Sequence, residues 1–142
     1  MTDLRIIFVD DNPTERELAR EAFAEFAPDL ELTTLGSREE LFAALDGDVL
    51  PHLVLLDLHL GRDTGDDIAR QLQGHAAHMV PVVILTNTND EHDRSRCFAA
   101  GAVDFWIKPM HFSGYPQLLD QARQLASLFR QSGLQRCPPP KD

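Results

Sequence analysis

Five short segments of the chain concentrate apolar side chains in runs too brief for helices. Leu4–Val9, Leu53–Leu56, Val82–Leu85 and Val103–Ile107 are near-continuous and rich in Val, Ile, Leu and aromatics, the pattern of strands covered on both faces. The weaker run Glu31–Leu35 alternates, as an edge strand does. Between these runs the spacing turns helical. Leu18, Ala22 and Phe26 recur every fourth residue, with Ala19 and Phe23 alongside, until Pro28 stops the pattern. Ser37-Arg38-Glu39-Glu40 reads as a capping box, in which the serine oxygen and a glutamate carboxylate each take up an amide at the helix start. Leu41, Phe42 and Leu45 then form an inner stripe. A third helix is predicted over Asp66–Gln73 with Ile68, Ala69 and Leu72 inward, and a fourth from near Asp90 to a left-handed cap at Gly101. The last carries Tyr115, Leu118, Leu119, Ala122, Leu125, Ala126 and Phe129 on one stripe.

Strand and helix therefore alternate five times. That predicts an α/β fold, parallel strands joined by right-handed crossovers with helices on both faces of the sheet. After Gln131 the text SGLQRCPPPKD is polar and Pro-rich, so the domain is expected over residues 1–131 and a flexible tail over 132–142. The length of 142 residues suits one domain. The composition, 43% hydrophobic and 25% charged, is that of a globular chain.

A formal net charge of −10 works against phosphate-backbone binding, and with no Lys/Arg cluster to offset it, a nucleic-acid partner is not expected. No apolar run approaches the ~20 residues of a membrane span, so the expectation is a cytoplasmic protein with no membrane partner. Cys97 and Cys137 lack any ligand spacing; Cys97 reads as a small hydrophobe. His75 and His78 fall in a loop with no further ligands in view, which favours a solvated loop over a metal site.

The chemistry gathers where the apolar runs end. Leu4–Val9 is followed by Asp10-Asp11, Leu53–Leu56 by Asp57, Val82–Leu85 by Thr86, and Ile107 by Lys108-Pro109. In a parallel sheet these ends share one edge, where ligands bind. Each has a plain reading alone: an acid pair at a helix start, a strand-end aspartate, a turn. Together they bring three carboxylates, a hydroxyl and an ammonium to one spot. Such carboxylates repel unless positive charge is supplied. Lys108 supplies one unit and Mg²⁺ would supply two, beside a dianionic phosphoryl group.

These residues resemble the receiver domain of a two-component response regulator. The motifs are VDDNP at Val9–Pro13, LLDLHL at Leu55–Leu60 with Gly65 beyond, LT at Leu85–Thr86, and GAVDFWIKP at Gly101–Pro109, and the similarity runs from about Leu4 to Phe129. The resemblance implies a flavodoxin-like (βα)5 three-layer sandwich with sheet order 2-1-3-4-5. It implies Asp57 as phosphoacceptor, taking a phosphoryl group from a sensor histidine kinase or a histidine phosphotransfer protein. Asp10, Asp11, Asp57 and the backbone carbonyl of His59 are then the Mg²⁺ ligands, and Lys108 the phosphoryl partner. Thr86 and Phe105 are the implied switch pair, although Phe105 as plain core is equally consistent with its place on a final strand. A cis Lys108–Pro109 bond is implied too.

The face made by the fourth helix, fifth strand and fifth helix is implied to meet a downstream protein or a second copy in a homodimer. No independent turnover is expected. The TNTNDEHDR run and the VDDNPTEREL start further resemble stand-alone regulators paired with phytochrome-type sensor kinases. Several positions depart from the family pattern. Leu60-Gly61 stands where many relatives have Met-Pro, which loosens that turn; Asn87 replaces a small residue, and Phe105 the commoner Tyr. His59 and Thr88 hold the two places that tune water access to the acyl phosphate. Two other classes remain open: a receiver-like interaction module that works without phosphate, and an aspartyl-phosphate phosphotransfer enzyme. The second is weakened by His59, which stands where such hydrolases carry a second Asp. A flavin carrier is disfavoured, because acids rather than a phosphate cradle follow the first strand.

Overall fold

Each strand is a run of residues that water would solvate poorly on either side. The computed structural model describes the backbone of residues 4–136 and the side chains of residues 4–131. It places β1 at Arg5–Val9, β2 at Glu31–Leu35, β3 at Leu53–Asp57, β4 at Val82–Thr86 and β5 at Asp104–Ile107. These form one parallel sheet in the spatial order β2-β1-β3-β4-β5, the flavodoxin-like order expected. Every residue of β3 and β4 is buried, whereas edge strands β2 and β5 keep exposed positions.

The helices α1 (Pro13–Phe26), α2 (Arg38–Leu45), α3 (Gly65–Gln73), α4 (Glu91–Ala99) and α5 (Tyr115–Arg136) cover the two faces. On one face Ile6, Phe8, Leu55 and Leu85 pack against Ala22 and Phe23 of α1 and Leu119 and Ala122 of α5. On the other, Ile7, Val9, Leu56 and Ile84 pack against Leu41, Ile68, Leu72 and Cys97. That is the three-layer sandwich. Burial pushes the Cys97 thiol up to about 11, helped by the nearby Asp66 charge, so it packs as an inert hydrophobe.

Local chemistry sets the helix ends. Asn12 caps α1 by accepting the Thr14 N–H at 2.9 Å, with Pro13 in the first turn. Ser37 Oγ accepts the Glu40 N–H at 3.1 Å, but the Glu40 carboxylate reaches back to the Gly36 N–H at 2.6 Å rather than to Ser37. Asp90 caps α4 through the N–H groups of His92 and Asp93, and Gly101, at φ 107°, follows its end.

Three features differ from expectation. The helix α5 runs to Arg136, past the tail boundary drawn after Gln131; an apolar stripe locates a buried face, whereas a helix can continue in solvent beyond it. The rest of the expected tail, Cys137 included, lies outside the described residues, as do residues 1–3. A two-residue antiparallel ribbon, His59–Leu60 with Asp63–Thr64, leads from β3 into α3; two alternating residues are too few to register as a pattern. Finally, no peptide bond is cis among the described residues, so Lys108–Pro109 is trans. Trans is the lower-energy form by roughly 0.5–1 kcal/mol, and Lys108 is aimed without the cis bond, as shown below.

Candidate functional site

Strand register assembles the site. Val9 lies opposite Leu56 and Asp57 opposite Leu85, so Asp10 emerges beside Asp57. Thr86 lies opposite Ile107, so Lys108 emerges beside Thr86, and its N–H donates to the Thr86 carbonyl at 2.7 Å. That bond extends the ladder by one residue and orients the lysine.

Lys108 then bridges two carboxylates, with Nζ at 2.9 Å from Asp10 Oδ2 and 3.2 Å from Asp57 Oδ1. Asp10 is 1% exposed and Asp57 7%, so both are charges out of bulk water and need partners. The other oxygen of Asp10 accepts the Asn12 N–H at 3.0 Å, and the Asp10 carbonyl accepts from Arg16 at 2.7 Å. Asp11 is exposed, and its Oδ2 accepts the Gly61 N–H at 2.8 Å.

The electrostatics follow from this crowding. Burial pushes the Asp57 carboxyl up to about 6; Asp10 adds to the push, while the Lys108 ammonium and the His59 N–H hold it down. Burial also works against the Lys108 charge, but the hydrogen bond to Asp10 and the charge of Asp57 outweigh it and leave the ammonium more firmly protonated than usual.

Among the described residues, Asp10, Asp11 and Asp57 are the acidic group whose ligand atoms all lie within 4.8 Å of one another. Three carboxylates face one ammonium, a hard-oxygen donor set with excess negative charge. That set fits a divalent cation of the Mg²⁺ type. Thr86 is 4% exposed, and its Oγ1 is 3.4 Å from the Thr88 N–H, a long contact that leaves the hydroxyl able to turn. The His59 side chain is exposed while its peptide lies against Asp57.

Phe105 is not at the carboxylates. It is 4% exposed and packed in the core beneath α4, with the Arg94 guanidinium 5.9 Å from its ring. His75 is bound into its loop: Nε2 sits 2.7 Å from Asp46 Oδ1 and Nδ1 accepts the Ala77 N–H. Its ring also packs on Phe42, and neither it nor His78 joins a metal-type cluster among the described residues.

Sequence reading missed Arg16, the Gly61–Asp11 contact and the pair Asp66–Arg96. Asp66 is 6% exposed and its Oδ2 lies 3.3 Å from Arg96 Nε, tying α3 to α4. Arg16 had a findable signal, since its position one turn into α1 points back at the strand end. The other contacts cross 30 positions for Asp66–Arg96 and 50 for Gly61–Asp11, and no local pattern announces them.

The family model described as the response regulator receiver domain matches residues 6–120. The cyclic di-GMP phosphodiesterase response regulator RpfG of Xanthomonas campestris pv. campestris (strain 8004) is 29% identical over 108 residues, covering 75% of this chain and 28% of RpfG. The chain thus spans less than a third of that relative's length. Among solved structures, the chemotaxis response regulator CheY4 of Vibrio cholerae matches with a TM-score of 0.74 at 18% identity, covering 87% of this chain and 99% of that one. The phosphorylated cyanobacterial phytochrome response regulator RcpA matches with a TM-score of 0.69 at 22% identity, covering 93% and 92%. At these identities the structural matches speak for the fold.

Proposed function

The chain belongs to the response regulator receiver domain family, and from that premise we propose that it is a phosphorylation switch with Asp57 as its phosphoacceptor. The observation that carries the reading is Lys108 Nζ shared between Asp10 and Asp57 at 2.9 and 3.2 Å, with Asp11 completing the acidic cluster.

In this reading an Asp57 carboxylate oxygen attacks the phosphorus of a phosphohistidine on a sensor histidine kinase or a histidine phosphotransfer protein. The O–P bond forms as the N–P bond breaks, the electron pair leaves with the imidazole, and Asp57 becomes an acyl phosphate. Asp10, Asp11, Asp57 and the His59 carbonyl are the residues that would hold Mg²⁺. When bound, the ion supplies positive charge to the phosphoryl oxygens. Lys108 supplies the same from the protein side, already aimed by its N–H bond to Thr86. Thr86 turns its hydroxyl to a phosphoryl oxygen. The chain assists its own phosphorylation and dephosphorylation and turns over no separate substrate.

The output is a change of protein contact. Between β5 and α5 lies a groove of about 410 Å³ lined by Trp106, Ile107, Pro109, Gln117, Leu118 and Gln121, and Ile107 is 43% exposed. A partner or a second copy meets this face when Thr86 and Phe105 shift. The phytochrome regulator among the structural matches supports a light-sensor kinase as one class of donor, and a cytoplasmic location belongs to the same reading. None of the described helices is long and apolar enough to cross a membrane.

Trp106, the only tryptophan, lies on this face and reports the switch. Beryllofluoride with Mg²⁺, a phosphoryl mimic, is expected to change its fluorescence, and Asp57→Asn to abolish the change. An unchanged signal in the wild type would favour the module that works without phosphate.

A further inference from the structure

The ribbon between β3 and α3 makes a contact that a receiver site does not need in order to exist. Gly61 opens its two-residue turn with φ 61°, and no non-glycine residue among those described has positive φ, so Arg62 does not share that conformation. A left-handed first position alone is the signature of a type II′ hairpin turn, which demands glycine there. In this turn the Gly61 N–H is free of the ribbon's own pairing, and it donates to Asp11 Oδ2 at 2.8 Å.

Three observations make the donor fixed rather than incidental. Leu60, the residue before it, is 4% exposed and packed in the core. The ribbon pairs His59 with Thr64 and Leu60 with Asp63, and the Gly65 N–H returns to the Leu58 carbonyl at 2.7 Å. Gly61 is therefore held at a set distance from Asp57, four residues earlier on the same anchored segment. Asp11 has no such anchoring of its own, since it is exposed on the loop between β1 and α1. Asp10 has both oxygens engaged, by Asn12 and Lys108.

We propose that the Gly61 peptide N–H is a positioning group for Asp11: it holds one carboxylate oxygen so that the other faces the cation site beside Asp57. The inference rests on the receiver reading and adds to it a determinant of cation affinity outside the acidic cluster. An exposed aspartate must otherwise lose rotamer freedom when it binds a cation, and a donor that has already ordered it removes that cost.

The test is Mg²⁺ affinity of the whole chain, read by calorimetry or Trp106 fluorescence, beside its melting temperature. Gly61→Pro deletes the N–H and also moves φ from 61° towards −65°, reshaping the turn. Gly61→Ala keeps it, and a Cβ at that position meets nothing within 4 Å, so alanine brings backbone strain alone. The expectation is Mg²⁺ affinity weakened about 3–10-fold by Gly61→Pro and by less than half as much by Gly61→Ala, with the lower melting temperature in Gly61→Pro, whose ring cannot adopt φ 61°. Equal weakening by both, or wild-type affinity in Gly61→Pro, overturns the inference and leaves the receiver reading standing. A wild-type chain that binds no Mg²⁺ overturns both. If Gly61→Pro does not fold, amide hydrogen exchange decides. The Gly61 amide is expected to be protected in the wild type and to exchange about 10-fold or more faster in Asp11→Ala while the Gly65 amide is unaffected. Equal rates in the two proteins would contradict the contact's role.

Discussion

As the proposed nucleophile, Asp57 answers two opposed requirements. A nucleophile must be ionised, and burial resists ionisation, pushing its carboxyl up to about 6. Between the ordinary carboxylate value of 3.8 and about 6 the folded chain keeps a proton that the unfolded chain releases. The stabilisation from that proton is full below about pH 4 and lost as pH rises through about pH 6. Asp57→Asn carries no such charge, so its stability advantage over the metal-free wild type should grow across that window. Near neutral pH and above it should reach about 1–2 kcal/mol, less than the full shift because Lys108 loses part of its pairing. Urea denaturation of both proteins at several pH values, without divalent ions, measures it. Lys108 is the converse case. Lys108→Met strands Asp10 and Asp57 together without their cation and should cost about 2–4 kcal/mol; the same titration should show the loss lessened at low pH, where Asp57 is neutral.

Elements show where sequence reading reaches and where it stops. The apolar runs locate four of the five sheet strands to within one residue at each end, because a strand covered on both faces has little room for polar side chains, and the alternation of Glu31–Leu35 locates the edge strand β2. The site residues were legible for the same reason: polarity resumes where a strand leaves the core, and Asp10, Asp57, Thr86 and Lys108 stand at those points. Phe105 is inward, which serves a switch aromatic and plain core equally. The α3 stripe was read too narrowly. Ile68, Ala69 and Leu72 are buried as expected, but so is Asp66, three residues before Ala69 on the same stripe. Polarity hid an inner position. Its Oδ1 is buried without a hydrogen-bond partner among the described residues, while Oδ2 meets Arg96.

Burial works against the Asp66 charge, but hydrogen bonds with Thr64 and Arg96 outweigh it and hold the carboxyl below the usual range, so Asp66→Leu should melt below the wild type at neutral pH, as thermal denaturation by circular dichroism would show. If the Asp66–Arg96 tie also restrains α4, that variant should alter the beryllofluoride response of Trp106. Thr86→Val keeps the shape and removes the hydroxyl, and it should leave Mg²⁺ affinity within about 2-fold while suppressing that response.

Taken whole, the molecule is a stiff parallel sheet whose carboxyl end holds the charge cluster and whose β5 edge carries a groove of mixed lining. Registry across β1, β3, β4 and β5 links the two, since Thr86 and Ile107 are partners in the same ladder. In the proposed switch, a phosphoryl group held by Lys108 and Thr86 would therefore act on residues one position from the exposed face. Ligand linkage gives the corresponding stability effect. Mg²⁺ with beryllofluoride at about 100 times the dissociation constant should add about 2.7 kcal/mol to the folded state, an increment absent from Asp57→Asn.

Intact-mass and peptide mass spectrometry after incubation with acetyl phosphate and Mg²⁺ tests the central claim most directly. The predicted result is a single phosphoryl addition, localised to Asp57, removed by hydroxylamine, and missing both from Asp57→Asn and when the divalent ion is chelated. Addition at another residue, or a wild-type chain that stays unmodified while its fold is intact, would contradict the account.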